Sequence, residues 1–422
     1  MSPQRLVVER LGHRGEGVAY IGDRRVFMPY ALPGEIVTAE IEGDHARLVD
    51  IVEASKDRIA PICPHFGHCG GCAVQTLSAG AYAAWKRGLL EDALRNAGLA
   101  LNVAPIIDAH GAGRRRVTFH ARFEAGTARV GFMAARSHEV VEIDACPLLA
   151  PELEGALRAA RALAAPLASR GKPLDIAITG TSDGLDVELR GAGPLAEDEW
   201  RALIAVTETH DLARLTNHGN LVALRRAPRI AIGAATLALP PGAFLQATQK
   251  GEEAIATLVL EATKDARTIA DLFCGVGAFA LRLAARARIC AYDNAAGAID
   301  AMAAAARTTQ GLRKIETFER DLSKRPLITQ ELEAFDALVF DPPRAGAPAQ
   351  AAEIARSKTP IVIAVSCNAQ SFARDAAILL SGGYRARTAT PIDQFRYAAH
   401  VEIVAVFARD GAVSPRKRRL LG

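Results

Sequence analysis

Thr268-Ile269-Ala270-Asp271-Leu272-Phe273-Cys274-Gly275-Val276-Gly277 is the stretch whose reading decides the fold. The run to Phe273 reads as a buried strand, and the two glycines after it let backbone approach a ligand. A helix is expected over Ala278–Ala287, then a strand over Ile289–Asp293. The alternation continues with a helix near Gly297–Arg307, a strand at Ala337–Phe340 and a helix near Ala349–Ser357. A strand at Ile361–Val365, a helix over Ser371–Ser381 and a last strand at Val401–Phe407 complete it, and a helix over Glu252–Thr263 precedes it. Strands alternating with helices imply a parallel, doubly wound α/β sheet of Rossmann-like type. Ligands of such sheets sit beyond the carboxyl ends of the strands.

The informative residues fall at those ends. Asp293, twenty-two residues after Asp271, is placed to bind two ribose hydroxyls. The turn Gly275-Val276-Gly277 lacks the third glycine that lets a helix approach a pyrophosphate. It therefore suits S-adenosylmethionine, which has no phosphate to cradle, better than a dinucleotide. Asp341-Pro342-Pro343-Arg344 follows the next strand, as in methyltransferases that act on bases. After the strand beyond that stands Ser366-Cys367-Asn368, with Cys367 placed as a nucleophile. Seen alone, such a cysteine is more often a small core residue; its place after Asp341 reverses that reading. Carbon 5 of uracil is a poor nucleophile until a thiolate adds to carbon 6, and the carbon-5 proton must later leave. His400-Val401-Glu402 offers a base for that proton, with His400 and Glu402 on one face of the strand. Such a site should favour the thiolate of Cys367.

Upstream, residues 1–56 read as five short strands punctuated by glycines, a small closed barrel of the oligonucleotide-binding type. Seven basic against nine acidic residues there mean that any RNA contact must come from one local face. The central region, residues 57–236, is read as α+β and holds the helix Ala79–Ala97, which can pack on the C-terminal domain, and a helix over Glu152–Ala168. The last region runs from 237 to 422. Between Gly113 and Arg136, six arginines face Glu124 alone, with Phe119, Phe123 and Phe132 among them. That composition suits phosphate contacts and base stacking, or equally a solvated face. Pro415-Arg416-Lys417-Arg418-Arg419 is a basic tail. Cys63-x5-Cys69-x2-Cys72 and the later Cys146 suggest metal binding rather than disulfides; thiolates alone suit zinc or an iron–sulfur cluster. The net charge of +4 announces no nucleic acid by itself. No run of 18 apolar residues spans a membrane, and the charged start MSPQRLVVERLGHRGEG is not a signal peptide. A cytoplasmic monomer is expected.

Together these motifs resemble the class I RNA uridine-5-methyltransferases, most closely the bacterial iron–sulfur 23S ribosomal RNA (uracil-5-)-methyltransferases. The residues carrying the resemblance are HRGEGVAY, VFMPYALPGE and IVEAS in a TRAM-like barrel, the cysteine set, and DLFCGVG, DPPR, SCN and HVE in that order. The resemblance implies a [4Fe–4S] cluster on Cys63, Cys69, Cys72 and Cys146, with zinc the lesser alternative. It implies Cys367 as nucleophile and Glu402 as general base. It implies S-adenosylmethionine binding by Gln246, Phe273, Gly275, Gly277, Asp293, Asp321 and Asp341, and an RNA substrate with a flipped-out uridine. Asp293 shortens the reach of the family's usual Glu, while Ala278 and Ala369 replace its usual Asn and Pro. A transfer-RNA enzyme of the same chemistry and a non-catalytic RNA-binding protein are the alternatives. A radical enzyme would need C-x3-C-x2-C, and the first gap here is five.

Overall fold

The computed structural model describes residues 3–409; the basic tail at 415–419 lies outside them. The N-terminal strands Gln4–Leu11, Gly17–Ile21, Arg24–Met28, Ile36–Glu42 and His45–Glu53 close into a barrel, the first pairing with both the second and the fourth. Val8, Ala19, Val26, Met28 and Val37 fill it. Arg136 reaches from the central sheet to the buried Glu16 and to His45 Nδ1 (3.1 Å), which docks the barrel on that sheet.

The central sheet runs in the order Asn220–Leu224, Arg214–Asn217, Gly184–Arg190, Leu174–Thr181, Arg116–Glu124, Thr127–Met133 and Val140–Glu142. The expected long helix after Glu152 is three pieces. A 3-10 turn at Pro151–Leu153 and the helix Ala156–Ala164 lead into a second 3-10 stretch at Ala165–Arg170, where Pro166 removes a helical donor. The basic segment is a strand whose alternation turns Phe119 and Ala121 into the core.

In the C-terminal sheet the order is Ile315–Glu319, Arg288–Asp293, Thr268–Leu272, Ala337–Phe340, Ile361–Ser366, Glu402–Ala408, Arg385–Asp393 and Ile107–Asp108. The first five are parallel; Glu402–Ala408 runs antiparallel to both neighbours. The expected helix over Ala278–Ala287 narrows to Ala280–Leu283, with turns on either side.

Several segments read into the central region pack with the C-terminal sheet instead, the helix over 79–97 among them as expected. Ile107–Asp108 adds an edge strand to the C-terminal sheet. The hairpin Arg229–Ile232/Ala235–Ala238 buries Ile230, Ile232 and Leu237 in the same core as Ile269. The helix Ala79–Asn96 packs Leu90 and Leu94 with Leu338 and Phe407. Its Lys86 is fully buried, 2.7 Å from Asp393 Oδ1, and donates to the carbonyls of Phe395 (3.0 Å) and His400. Removing one partner of a buried pair leaves the other charge uncompensated. Lys86→Met is therefore expected to cost about 3–5 kcal/mol in urea unfolding. A loss well under 1 kcal/mol would show that the pair does not hold the loop.

Candidate functional site

At the carboxyl ends of the parallel strands the backbone is bent into unusual shapes. Phe273 adopts φ +63°, a conformation that costs a non-glycine residue about 1–3 kcal/mol and that clusters at functional sites. Gly275 and Gly277 follow at φ +52° and +86°. A Cβ on Gly277 would lie 2.8 Å from Met302 Cγ, whereas one on Gly275 would meet nothing within 4 Å. Gly277 thus serves helix packing, and Gly275 leaves an open cradle. Asp293 holds this turn: Oδ2 accepts from the Gly275 amide (2.8 Å) and Oδ1 from the Ala295 amide (2.9 Å). Asp321 accepts from the Ser323 amide (3.0 Å) and pairs with Lys324, which helps keep its carboxyl below the usual range.

Asp271, quoted in the opening motif but given no role there, lies beneath the turn. It is fully buried, and neither carboxylate oxygen closes a hydrogen bond of normal geometry. Burial first, then the neighbouring Asp341, hold its carboxyl well above the usual range; the Ala280 amide pulls the other way. An orphaned buried carboxyl beside an open glycine cradle fits a polar ligand such as S-adenosylmethionine.

Cys367 and Glu402 come together by strand register. Ser366 pairs with Ile403 in the antiparallel ladder, so one further step sets Cys367 against Glu402. The amide of Asp341 is bound to Leu272 O (3.3 Å), beside the glycine turn. Glu402 is 3 % exposed. Burial, then Asp341, pushes its carboxyl up to about 8, against the hydrogen bond from Gln394 Nε2 (2.9 Å). Burial alone raises Asp341 to about 7.

Burial, followed by Glu402 and Asp341, pushes the Cys367 thiol up to about 11, while Arg344 pulls it down. Burial first, and then two carboxyls against a single guanidinium, thus oppose the thiolate that the sequence leads one to expect. His400 stands ahead of the strand, edge-on to Phe395 (ring centroids 6.0 Å apart). Its imidazole is held below its usual value by burial, then Arg344 and Lys86.

Gln246 is buried, its Oε1 accepting from Gln394 Nε2 (2.6 Å). Its carbonyl accepts from Arg115 Nε (3.1 Å), and Arg115 also pairs with the buried Glu252. The arginine run is thus not one phosphate-facing stripe. Arg115 braces the Gln246 loop, and Arg129 lies between Glu124 (3.8 Å) and Glu142 (3.6 Å). Arg116 lies 4.4 Å from the ring centre of Phe244, which is 61 % exposed.

Cys63, Cys69, Cys72 and Cys146 line one cavity of about 430 Å³ together with Arg114 and Arg116. Burial raises the thiols of Cys69 and Cys146, and that of Cys72 to about 12, with neighbouring cysteines adding to each. Among the described residues, no three His, Cys, Asp or Glu side chains stand close enough to hold one metal ion. The cysteines gather, but the structure shows no metal centre.

Comparison with known proteins identifies the family. The model for tRNA (uracil-5-)-methyltransferases matches residues 235–410, and the TRAM domain model matches residues 2–48. The chain is 32% identical to the 23S rRNA (uracil(1939)-C(5))-methyltransferase RlmD of Chromohalobacter salexigens, over 98% of this chain and 90% of that protein. The chain belongs to the RNA (uracil-5-)-methyltransferase family. It is an S-adenosylmethionine-dependent RNA methyltransferase with an N-terminal TRAM domain. An uncharacterized RNA methyltransferase of Brucella melitensis is 43% identical over 96% of this chain and 97% of its own. The fold matches the Pyrococcus abyssi tRNA (uracil-54, C5)-methyltransferase solved with S-adenosyl-L-homocysteine: TM-score 0.72, 21% identity, 96% of this chain and 99% of that one. Among the described residues, no helix is long and apolar enough to cross a membrane.

Gln394, Asp271, Lys86 and Phe244 were not singled out as site residues from sequence. Only Phe244 and Asp271 carried a local signal, the first beside Gln246 and the second within the glycine motif. The raised Glu402 carboxyl has a sign that can be checked. A carboxyl whose folded value lies above its ordinary 4.5 contributes stability that is lost as pH rises through about 8. Glu402→Gln should therefore gain thermal stability over the parent as pH climbs from 5 to 9, with little difference below 5. A gap that shrinks with rising pH would contradict the burial argument.

Proposed function

We propose that the chain methylates carbon 5 of a uridine in ribosomal RNA through a transient bond between Cys367 and carbon 6. The observation that carries this reading is the rung Ser366–Ile403, which sets Cys367 and the buried Glu402 one step beyond it on adjacent strands. Gln246, Phe273, Gly275, Gly277, Asp293, Asp321 and Asp341 are the residues that would hold S-adenosylmethionine, which when bound supplies an electrophilic methyl group. The Cys367 thiol gives up its proton to solvent and its sulfur adds to carbon 6, which pushes the 5,6 π pair toward carbon 5 and makes that carbon nucleophilic. After carbon 5 has taken the methyl group, Glu402 accepts the carbon-5 proton. The electron pair of that C–H bond re-forms the 5,6 double bond, and the carbon–sulfur bond breaks to return Cys367. A carboxyl near 8 suits this work, since a base is most effective when its value lies near the working pH.

Ribosomal RNA is favoured by the RlmD relative, which aligns along nearly the whole chain, barrel included. Transfer RNA, the substrate named for the Pyrococcus abyssi enzyme, is the alternative. The target uridine must leave its stack to reach Cys367, so a loop or single-stranded region is the substrate. Phe244 offers it an aromatic face.

The four cysteines fit a [4Fe–4S] cluster in donor type: four thiols on one cavity, with Arg114 facing Cys72 and Cys146. A bound cluster would tie the loop of Cys63, Cys69 and Cys72 to Cys146 and so brace the central domain. No electron transfer is required of it. Anaerobically purified protein should contain iron and sulfide, and Cys69→Ala should lose both along with thermal stability. Stoichiometric zinc in place of iron would replace the cluster with a zinc site.

The chemistry is tested on one denaturing gel. Cys367→Ala should neither methylate RNA nor form a covalent adduct. Glu402→Gln should slow turnover by roughly 10²–10⁴-fold and accumulate a methylated protein–RNA adduct. Normal methylation by Cys367→Ala would refute the covalent route. Mapping 5-methyluridine on ribosomal and transfer RNA from a deletion strain separates the two substrates.

A further inference from the structure

Gln394 follows the strand Arg385–Asp393 and is fully buried. Its side-chain amide makes three hydrogen bonds. Oε1 accepts from the Thr248 backbone N–H (3.3 Å), and Nε2 donates to Gln246 Oε1 (2.6 Å) and to Glu402 Oε1 (2.9 Å). A backbone N–H can only donate, so Thr248 fixes which way the amide faces. Turned over, the amide would set its NH₂ against that N–H and its oxygen against the Glu402 carboxylate.

Space is fixed as tightly as polarity. A Cβ on Gly251, in the helix Gln249–Ala262, would stand 2.7 Å from Gln394 Oε1 and 2.8 Å from its Cβ. The loop after Gln394 is also pinned from outside the C-terminal sheet. Tyr82 donates to Asp393 and accepts from the Tyr397 amide (2.9 Å). The amides of Ala73 (2.7 Å) and Val74 (3.3 Å), directly after Cys72, donate to Tyr397 O.

We propose that Gln394 is a positioning residue that yokes the methyl-donor side of the site, through Gln246, to the proton-accepting carboxylate of Glu402. It engages one oxygen of Glu402 and leaves the other for the carbon-5 proton. One small amide thus sets the distance between the two halves of the reaction. The proposal rests on the reading of Glu402 as base and Gln246 as a residue of the cofactor site. Two titratable groups lie near Glu402: Asp341, which disfavours its negative charge, and Cys367, whose thiolate Glu402 in turn disfavours. Gln394 supplies the donor that opposes Asp341.

The test is Gln394→Met, close in volume but without a donor, made in the full-length protein beside Glu402→Gln. A lost hydrogen bond to a charged acceptor should move the acid limb of the kcat–pH profile up by about one to two pH units. Turnover near pH 7 should then fall by roughly ten- to a hundredfold. The variant should accumulate covalent adduct at pH 7 that resolves when the pH is raised to 9, which a merely structural defect would not do. If Gln394→Met does not fold, Gly251→Ala carries the same test, because its methyl group displaces the same amide. An unshifted acid limb and no adduct in a folded variant, while Glu402→Gln still traps adduct, would overturn the role of Gln394 alone. If Glu402→Gln itself turns over normally, the base assignment fails and the proposal fails with it.

Discussion

A carboxylate taken out of water at the end of an antiparallel strand is the constraint on which the rest of the site depends. Glu402 can occupy that place because its strand runs against the direction of the five parallel strands. Its first residue therefore meets the last residues of the Ile361–Ser366 strand. A parallel strand in the same slot would carry the acid to the far edge of the sheet. Burial then does two things together: it raises Glu402 toward neutrality, and it demands a partner. Gln394 is that partner, and its second donor reaches Gln246. On the proposed mechanism, one side chain would set both the geometry of proton removal and that of the methyl-donor side.

The surrounding structure holds this arrangement from a distance. The helix Ala79–Asn96 lies between the barrel and the C-terminal sheet, with Trp85 donating to Gly12 O (3.2 Å) and Lys86 reaching the loop before Glu402. The residues directly after Cys72 bind the same loop at Tyr397. A disturbance of the cysteine cavity would therefore be felt in the loop before Glu402 through two amides and one aromatic residue. The arginines between 114 and 136 serve a comparable end. Arg115 and Arg136 spend their charge on buried glutamates that join one part of the chain to another.

Much of this was legible in the residues. The C-terminal strands announced themselves because buried parallel strands are continuous apolar runs, and Asp293, Asp341, Cys367 and Glu402 follow or begin such runs. The barrel was legible from its glycine punctuation. Less legible were Ile315–Glu319 and Arg385–Asp393, edge or near-edge strands whose polar residues mask the alternation, the second carrying a register irregularity as well. The arginine-rich strand Arg116–Glu124 was read for its charge, although Phe119 and Ala121 already marked an inward face. Gln394 could not be found, because its meaning lies in contacts with Gln246 and Thr248 almost 150 positions away. The thiol of Cys367 was misjudged for a related reason. Its burial, and the two carboxyls and one guanidinium beside it, are products of tertiary structure that sequence spacing does not weigh.

The most direct measurement of the central claim is peptide mass spectrometry after incubation with S-adenosylmethionine and RNA carrying 5-fluorouridine. Fluorine at carbon 5 cannot leave as a proton does, so the adduct should be trapped after methyl transfer. The account predicts one modified peptide, with Cys367 carrying a methylated fluorouridine nucleotide. Methylation of ordinary RNA at full rate, with no adduct on Cys367 in the fluorinated sample, would contradict it.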